Sequence, residues 1–162
     1  MRKSVLLFAI LCLCAAMALG QNKVASSWTC QKPSNAQSIA IPDHPNHAYA
    51  IAQFTCTASK GEIGGVKDKD GTVTEFDDVD GNGTHGHGIF VETLANGDKI
   101  HIRFESSAAT KNGQFQSGSD KWQITEATGK LKGAKGSGTC TGKGNADGSS
   151  NWTCTGSYSS AK

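Results

Sequence analysis

The residues able to do chemistry are sparse, and most fall between positions 43 and 105. Asp78-Val79-Asp80-Gly81-Asn82-Gly83-Thr84 places oxygen ligands at alternate positions with a glycine at the sharp turn, which is the first half of a calcium loop. The second half is missing, because position twelve is Ile89 where such a loop needs a bidentate Glu. Calcium is therefore the one cofactor the sequence admits, at a weak site of Asp78, Asp80, Asn82 and Thr84 that could recruit Asp77 or Glu92. An acidic, glycine-rich surface turn is the more economical reading. His85 and His87 would share one face of a strand, a spacing a transition metal can use. They alternate with glycine beside a turn, however, and lack the second shell that fixes a ligand; His44 and His47 lie in a proline-containing loop segment. Glu92 and His101 would face each other across a hairpin, where an ordinary cross-strand ion pair is favoured over an acid/base pair. The chain has no nucleophile elbow and no phosphate-binding glycine loop, and Gly61-Glu62-Ile63-Gly64-Gly65 reads as a turn or bulge.

The elements that hold these residues follow from export and cysteine. Arg2 and Lys3, an apolar run from Val5 to Leu13 and small residues ending Ala18-Leu19-Gly20 make residues 1–20 a secretory signal peptide. That leaves 21–162 as one domain in the bacterial periplasm or outside the cell. The apolar run is too short for a membrane span, which needs roughly 20 residues. Two of the 16 Lys and Arg leave with the signal, and the remainder balance the 14 Asp and Glu. With that balance, the basic footprint of a nucleic-acid partner is missing. Cys30, Cys56, Cys140 and Cys154 remain, and their wide spacing argues for two disulfides over a zinc site. The segment 139–154 is nearly symmetric about Asp147-Gly148, which sets Cys140 opposite Cys154 on a hairpin and leaves Cys30 for Cys56.

Turn dipeptides at Asp70-Gly71, Asn96-Gly97, Asn112-Gly113 and Asp147-Gly148 divide the chain into strands, and no amphipathic helix of normal length is present. Around Asn96-Gly97, Ile100, Ile102 and Phe104 alternate with Lys99, His101, Arg103 and Glu105. A two-residue loop there pairs Val91 with Ile102 and Ile89 with Phe104. Trp28, Phe54 and Trp152 each precede a cysteine by two, so each shares its buried face. This pattern suggests an antiparallel barrel or sandwich.

Trp122 to Gly138 (WQITEATGKLKGAKGSG) resembles the strand, short turn and glycine-rich strand of allene oxide cyclase barrel-like proteins, which include the dirigent proteins. The continuation to Tyr158 is similar to the tails of small exported bacterial proteins of unknown function. The resemblance implies an all-β fold, a single antiparallel β-barrel of about eight strands. The catalytic residues of the cyclases and dirigents find no counterparts here, so their activities do not carry over.

Three functions are compatible with such a barrel. The leading one is binding of an apolar or amphipathic small molecule, with Trp28, Phe54, Ile102, Phe104, Trp122 and Trp152 lining or supporting the lumen and volume left by Ala48, Ala50, Ala52, Gly136, Gly138 and Gly156. A cyclase- or isomerase-like enzyme is the alternative, using Glu92, His101 and Arg103 if the charged hairpin face points inward. A secreted protein-interaction or inhibitor module is the third. The export reading predicts a chain starting at Gln21; an intact mass that retains residues 1–20 would overturn it.

Overall fold

In the computed structural model, the residues described are 21–42, 44–81 and 83–160, so residues 1–20, expected to be a signal peptide, and Asn82 lie outside them. Strands β1 (Asn22–Cys30), β3 (His47–Lys60), β5 (Val66–Asp80), β6 (Gly83–Leu94), β7 (Lys99–Lys111), β8 (Gln114–Ala127), β9 (Lys135–Gly144) and β10 (Ser150–Ser159) pair in antiparallel fashion around a closed ring. Closure comes from β3, which pairs with β1 through its C-terminal half and with β5 along most of its length. The result is an eight-stranded barrel. Two short strands flank it: β2 (Asn35–Ala40) against β3, and β4 (Glu62–Ile63) against β5. A single 3-10 turn, Gly129–Leu131, joins β8 to β9. Among the described residues no helix is long and apolar enough to cross a membrane.

Both disulfides join directly opposed residues. Cys30 bonds Cys56 across β1 and β3, and Cys140 bonds Cys154 across β9 and β10. Trp28, Phe54 and Trp152 share the inward face with them, as the spacing requires. Ser-x-Trp-Thr-Cys occurs twice, and in both copies the serine two residues before the tryptophan accepts its indole N–H: Trp28 Nε1 donates to Ser26 Oγ and Trp152 Nε1 to Ser150 Oγ, each at 3.0 Å. This removes the cost of burying an indole donor in an apolar wall.

The middle of the barrel is filled by rings lying over glycines. Trp122 lies across Gly138 and Gly156, Trp152 across Gly142, and Phe90 across Gly71. A Cβ at Gly88 would sit 2.6 Å from the Phe104 ring, and one at Gly142 2.5 Å from Trp152. Trp28 meets Phe90 edge-on at 5.0 Å, and Phe115 stacks on Trp152 at 5.5 Å. Glycine weakens an isolated strand, but here it creates the depression that an aromatic from a neighbouring strand occupies. Ile63, Leu94, Ile100, Leu131, Ala134 and Tyr158 close the end beyond this layer.

Two expectations from the sequence are corrected. The Asn96-Gly97 loop has three residues, with Thr93 opposite Lys99 and Gly97 at φ +88°, so Val91 pairs with His101, Phe90 with Ile102 and Gly88 with Phe104. A one-residue slip exchanges faces. Ile89 therefore points outward, while Glu92 points inward, opposite Ile100. Asp70-Gly71 is no turn; it lies inside β5, where Phe90 fills the space a side chain would take. By contrast, Asn112-Gly113 is a two-residue hairpin with both residues at positive φ, as the dipeptide predicts.

This packing makes a mutational prediction. Trp122→Ala should cost about 3–5 kcal/mol of unfolding free energy, and Gly156→Val about 1–3 kcal/mol by overpacking the same site. Urea denaturation checks both. A loss under about 1 kcal/mol for Trp122→Ala would mean that the ring does not fill the barrel.

Candidate functional site

The six aromatic and aliphatic residues expected to border a lumen all face the interior. Trp28, Phe104 and Trp122 belong to the buried core, with Phe54, Ile102 and Trp152 packed against it. Gly138 and Gly156, read from the sequence as unfilled volume, lie under Trp122. Two open depressions lie at the rims. One of about 620 Å3 is lined by the 40–48 turn, and one of about 360 Å3 by residues of β8, β9 and β10 with Gln21. Neither is lined by Trp28, Phe104, Trp122 or Trp152.

Beyond the ring layer, toward the β5–β6 and β7–β8 turns, the inward positions change character. On β3 they are Ala48, Ala50 and Ala52; on β6, Thr84 and Gly86; on β7, Ser106 and Ala108. These small side chains surround three acids: Glu75 and Asp77 from β5 and Asp120 from β8. The inward placement of the β5 acids follows from strict alternation with buried Gly71 and Val73. Asp77 Oδ1 and Ser106 Oγ lie over Gly86, leaving no room for a Cβ there. No Lys or Arg occupies an inward position on the described strands.

Burial without a cation determines the charge state. Desolvation, helped by the neighbouring Asp77 and Asp120, raises Glu75 to about 8. Desolvation and Asp77 raise Asp120 to about 7. Asp77 is also raised by burial, although its hydrogen bond with Glu75 and the nearby His87 oppose the shift. Burial and like-charged neighbours both favour the neutral acid. Asp120 stands two residues before Trp122, where the other two tryptophans have a serine. Here the pairing is not made: Asp120 Oδ1 and Trp122 Nε1 are both buried without a partner. An unengaged buried acceptor and donor beside a carboxyl cluster are uncommon in a packed interior.

A second carboxyl pair lies at the closed end. Glu92, 5% exposed, lies beside Asp68, and Asp68 Oδ1 and Glu92 Oε1 are buried without a partner. Desolvation and Asp68 raise Glu92 to about 9, and desolvation raises Asp68 to about 6. The enzyme constellation suggested by the sequence is thus divided. Glu92 is inside, whereas Lys99, Arg103 and Glu105 are exposed on the outer face and His101 is half-buried there.

The calcium-loop residues are also divided. Asp78 faces outward and is paired with His47 Nε2 at 2.7 Å, Asp80 is exposed at the strand end, and Thr84 faces inward on β6. Asp80 pairs with Gly83 across the turn that contains Asn82, which lies outside the described residues. Among the described residues no three His, Cys, Asp or Glu side chains are gathered as metal ligands. His85 bonds Ser107 Oγ at 3.1 Å, and His87 stacks on Phe76. Sequence reasoning named Asp77 only as a recruit to the calcium loop and missed Glu75 and Asp120, because β5, and β8 before Trp122, are polar on both faces and their periodicity names no inside.

No family model and no curated protein matches the chain. The solved structure of the pterocarpan synthase dirigent protein is similar to it over 88% of this chain and 90% of that chain, with a TM-score of 0.47 and 11% sequence identity. The barrel assignment stands on the strand pairing itself.

The buried acids predict a pH dependence with a definite sign. Their folded-state values are raised, so the unfolded chain releases protons first as pH rises. Stability is full below about 4 and declines as pH passes through the folded-state values up to about 9. Melting temperature should therefore fall from pH 5 to pH 9, and Glu92→Gln should flatten the decline. A melting temperature that rises over this interval would show that the carboxyls are ionised in the fold.

Proposed function

We propose that the protein is a small-molecule binding barrel whose site is its small-residue end, where an amphipathic ligand rests on the Ala48, Ala50 and Ala52 wall and sets a hydrogen-bonding head on Glu75, Asp77 and Asp120. The single observation that carries this reading is the inward carboxyl cluster with Asp120 Oδ1 buried and unpartnered. Ligand sites combine apolar walls with a few convergent polar groups, and perturbed acids concentrate at such places. At neutral pH a carboxyl raised to about 8 offers both an O–H donor and an acceptor. A phenol or alcohol head would engage both without requiring a buried cation, whereas an amine would bring its own charge to an ionised carboxyl. The apolar rings on the far side would form the floor of the site.

Acid/base chemistry is the second reading, favoured by the adjacent Glu75 and Asp77. Two neighbouring buried carboxyls, both raised by desolvation, suit a cyclase- or isomerase-like step. Titration by native mass spectrometry with a panel of amphipathic phenols and amines tests binding. At least one class should bind, weaken about tenfold in Asp120→Asn, and be lost in Ala50→Trp, which fills the mouth. Binding that survives Ala50→Trp, or a panel with no binder, would contradict the proposed site.

A further inference from the structure

The sequence holds three Asn-Gly dipeptides. In Asn96-Gly97 and Asn112-Gly113 both residues are described, while the third contains Asn82, which lies outside the described residues. Asn-Gly is the pair in which the main chain can react with its own side chain. The peptide nitrogen of the glycine attacks Cγ of the asparagine, the new N–Cγ bond closes a cyclic imide, the Cγ–Nδ2 bond breaks, and the peptide proton leaves with Nδ2 as ammonia. Water then opens the imide at either carbonyl and leaves an aspartyl or an isoaspartyl residue. The step needs a nitrogen that no Cβ shields, which glycine supplies. It also needs an N–H free to give up its proton and a carboxamide free to turn toward it.

The two turns differ in those last two requirements. Both asparagines and both glycines are exposed, and a Cβ at either glycine would meet nothing within 4 Å, so water reaches both. At Asn96 the reacting groups are engaged. Its Nδ2 donates to Asp98 Oδ2 at 2.8 Å, its Oδ1 accepts the Asp98 N–H at 3.0 Å, and the Gly97 N–H donates to the Leu94 carbonyl at 2.9 Å. Leaving group, carbonyl and nucleophile each have a partner. Asp98 is itself held in place, because its carboxylate lies against Gly129 in the space a Cβ there would take. At Asn112 none of these bonds exists among the described residues. Asn112-Gly113 forms the whole β7–β8 loop, between Lys111 and Gln114, which pair directly. The loop residues have φ of 53° and 72°. In a two-residue loop of this kind the turn bond uses the flanking pair and leaves the N–H of the second loop residue to solvent.

We propose that Asn112 is a self-modification site of this chain, where the β7–β8 turn converts to an aspartyl or isoaspartyl residue while Asp98 and Leu94 protect Asn96. Water is the one co-reactant. The product puts a carboxylate beside Lys111, at the rim of the barrel end that holds Glu75, Asp77 and Asp120. An aspartyl product keeps the hairpin, since Asp-Gly favours the same turn. An isoaspartyl product lengthens the main chain by a methylene and displaces Gln114 from Lys111.

Incubation of the folded chain at mildly alkaline pH with its disulfides intact, followed by peptide mapping at acid pH to stop the reaction during digestion, reads both sites in one sample. Asn112 should show the amide-to-acid mass change at least about tenfold faster than Asn96, since each hydrogen bond that must first be broken slows the step several-fold. In the reduced chain in urea the two rates should converge, because the fold alone distinguishes them. Asp98→Ala removes the acceptor of Asn96 Nδ2; it should speed conversion at Asn96 and leave Asn112 unchanged. Asn96 converting as fast as Asn112 in the folded chain would overturn the proposal. A ratio that unfolding leaves unchanged would also overturn it, since the neighbouring residues and not the turns would then set the rates. So would a folded chain whose Asn112 stays intact for as long as the unfolded chain takes to convert.

Discussion

An eight-stranded barrel of small, polar-rich strands has to fill its interior, and here rings from one strand fill the gaps left by glycines on the next. Trp122 over Gly138 and Gly156 is the central contact. It sets the close approach of β8, β9 and β10, and the disulfide between Cys140 and Cys154 ties the same three-stranded wall. Each glycine lowers the intrinsic preference of its strand for the sheet, and burial of the ring more than offsets that. The barrel can therefore be rich in glycine without being hollow. Its interior divides along the axis into a ring-packed middle, a plugged end and an end lined by small residues.

Carboxyl groups occupy both ends of that interior, and the division explains why they can. At the plugged end Asp68 lies beside Glu92; at the other end Glu75 and Asp77 lie together with Asp120. Among the described strands no Lys or Arg turns inward, so burial holds Glu75 at about 8 and Glu92 at about 9, protonated at neutral pH, while Asp68 and Asp120 are raised less, to about 6 and about 7. The outer surface carries the charge balance, and the histidines belong to it: His47 with Asp78, His85 with Ser107, and His87 on Phe76. The chain thus keeps titratable chemistry inside and its ordinary ion pairing outside.

Much of this was legible in the residues. Trp28, Phe54 and Trp152, each two residues before a cysteine, announced aromatics packed beside disulfides, and the hairpin symmetry of 139–154 gave the pairing of Cys140 with Cys154. The alternation of Ile100, Ile102 and Phe104 with charged residues named the inner face of β7 correctly. Glu92 was misplaced because a three-residue loop and a two-residue loop share the dipeptide Asn-Gly, and a difference of one residue reverses the face of β6. Glu75 and Asp120 gave no signal, and Asp77 only one tied to the calcium loop, because both faces of β5, and β8 before Trp122, are polar; only the partner strands decide which face turns inward. β2 was not foreseen, since Asn35–Ala40 shows no alternation and acquires strand geometry from β3.

The central claim is that the folded barrel holds neutral carboxylic acids in its interior at physiological pH. Carbon-detected NMR titration of the side-chain carboxyls reads this directly, residue by residue. The account predicts midpoints near 8 for Glu75 and near 9 for Glu92, well above the ordinary Glu value of 4.5. Midpoints for both near that ordinary value would mean that the acids are solvated or paired with cations, and would contradict the interior described above.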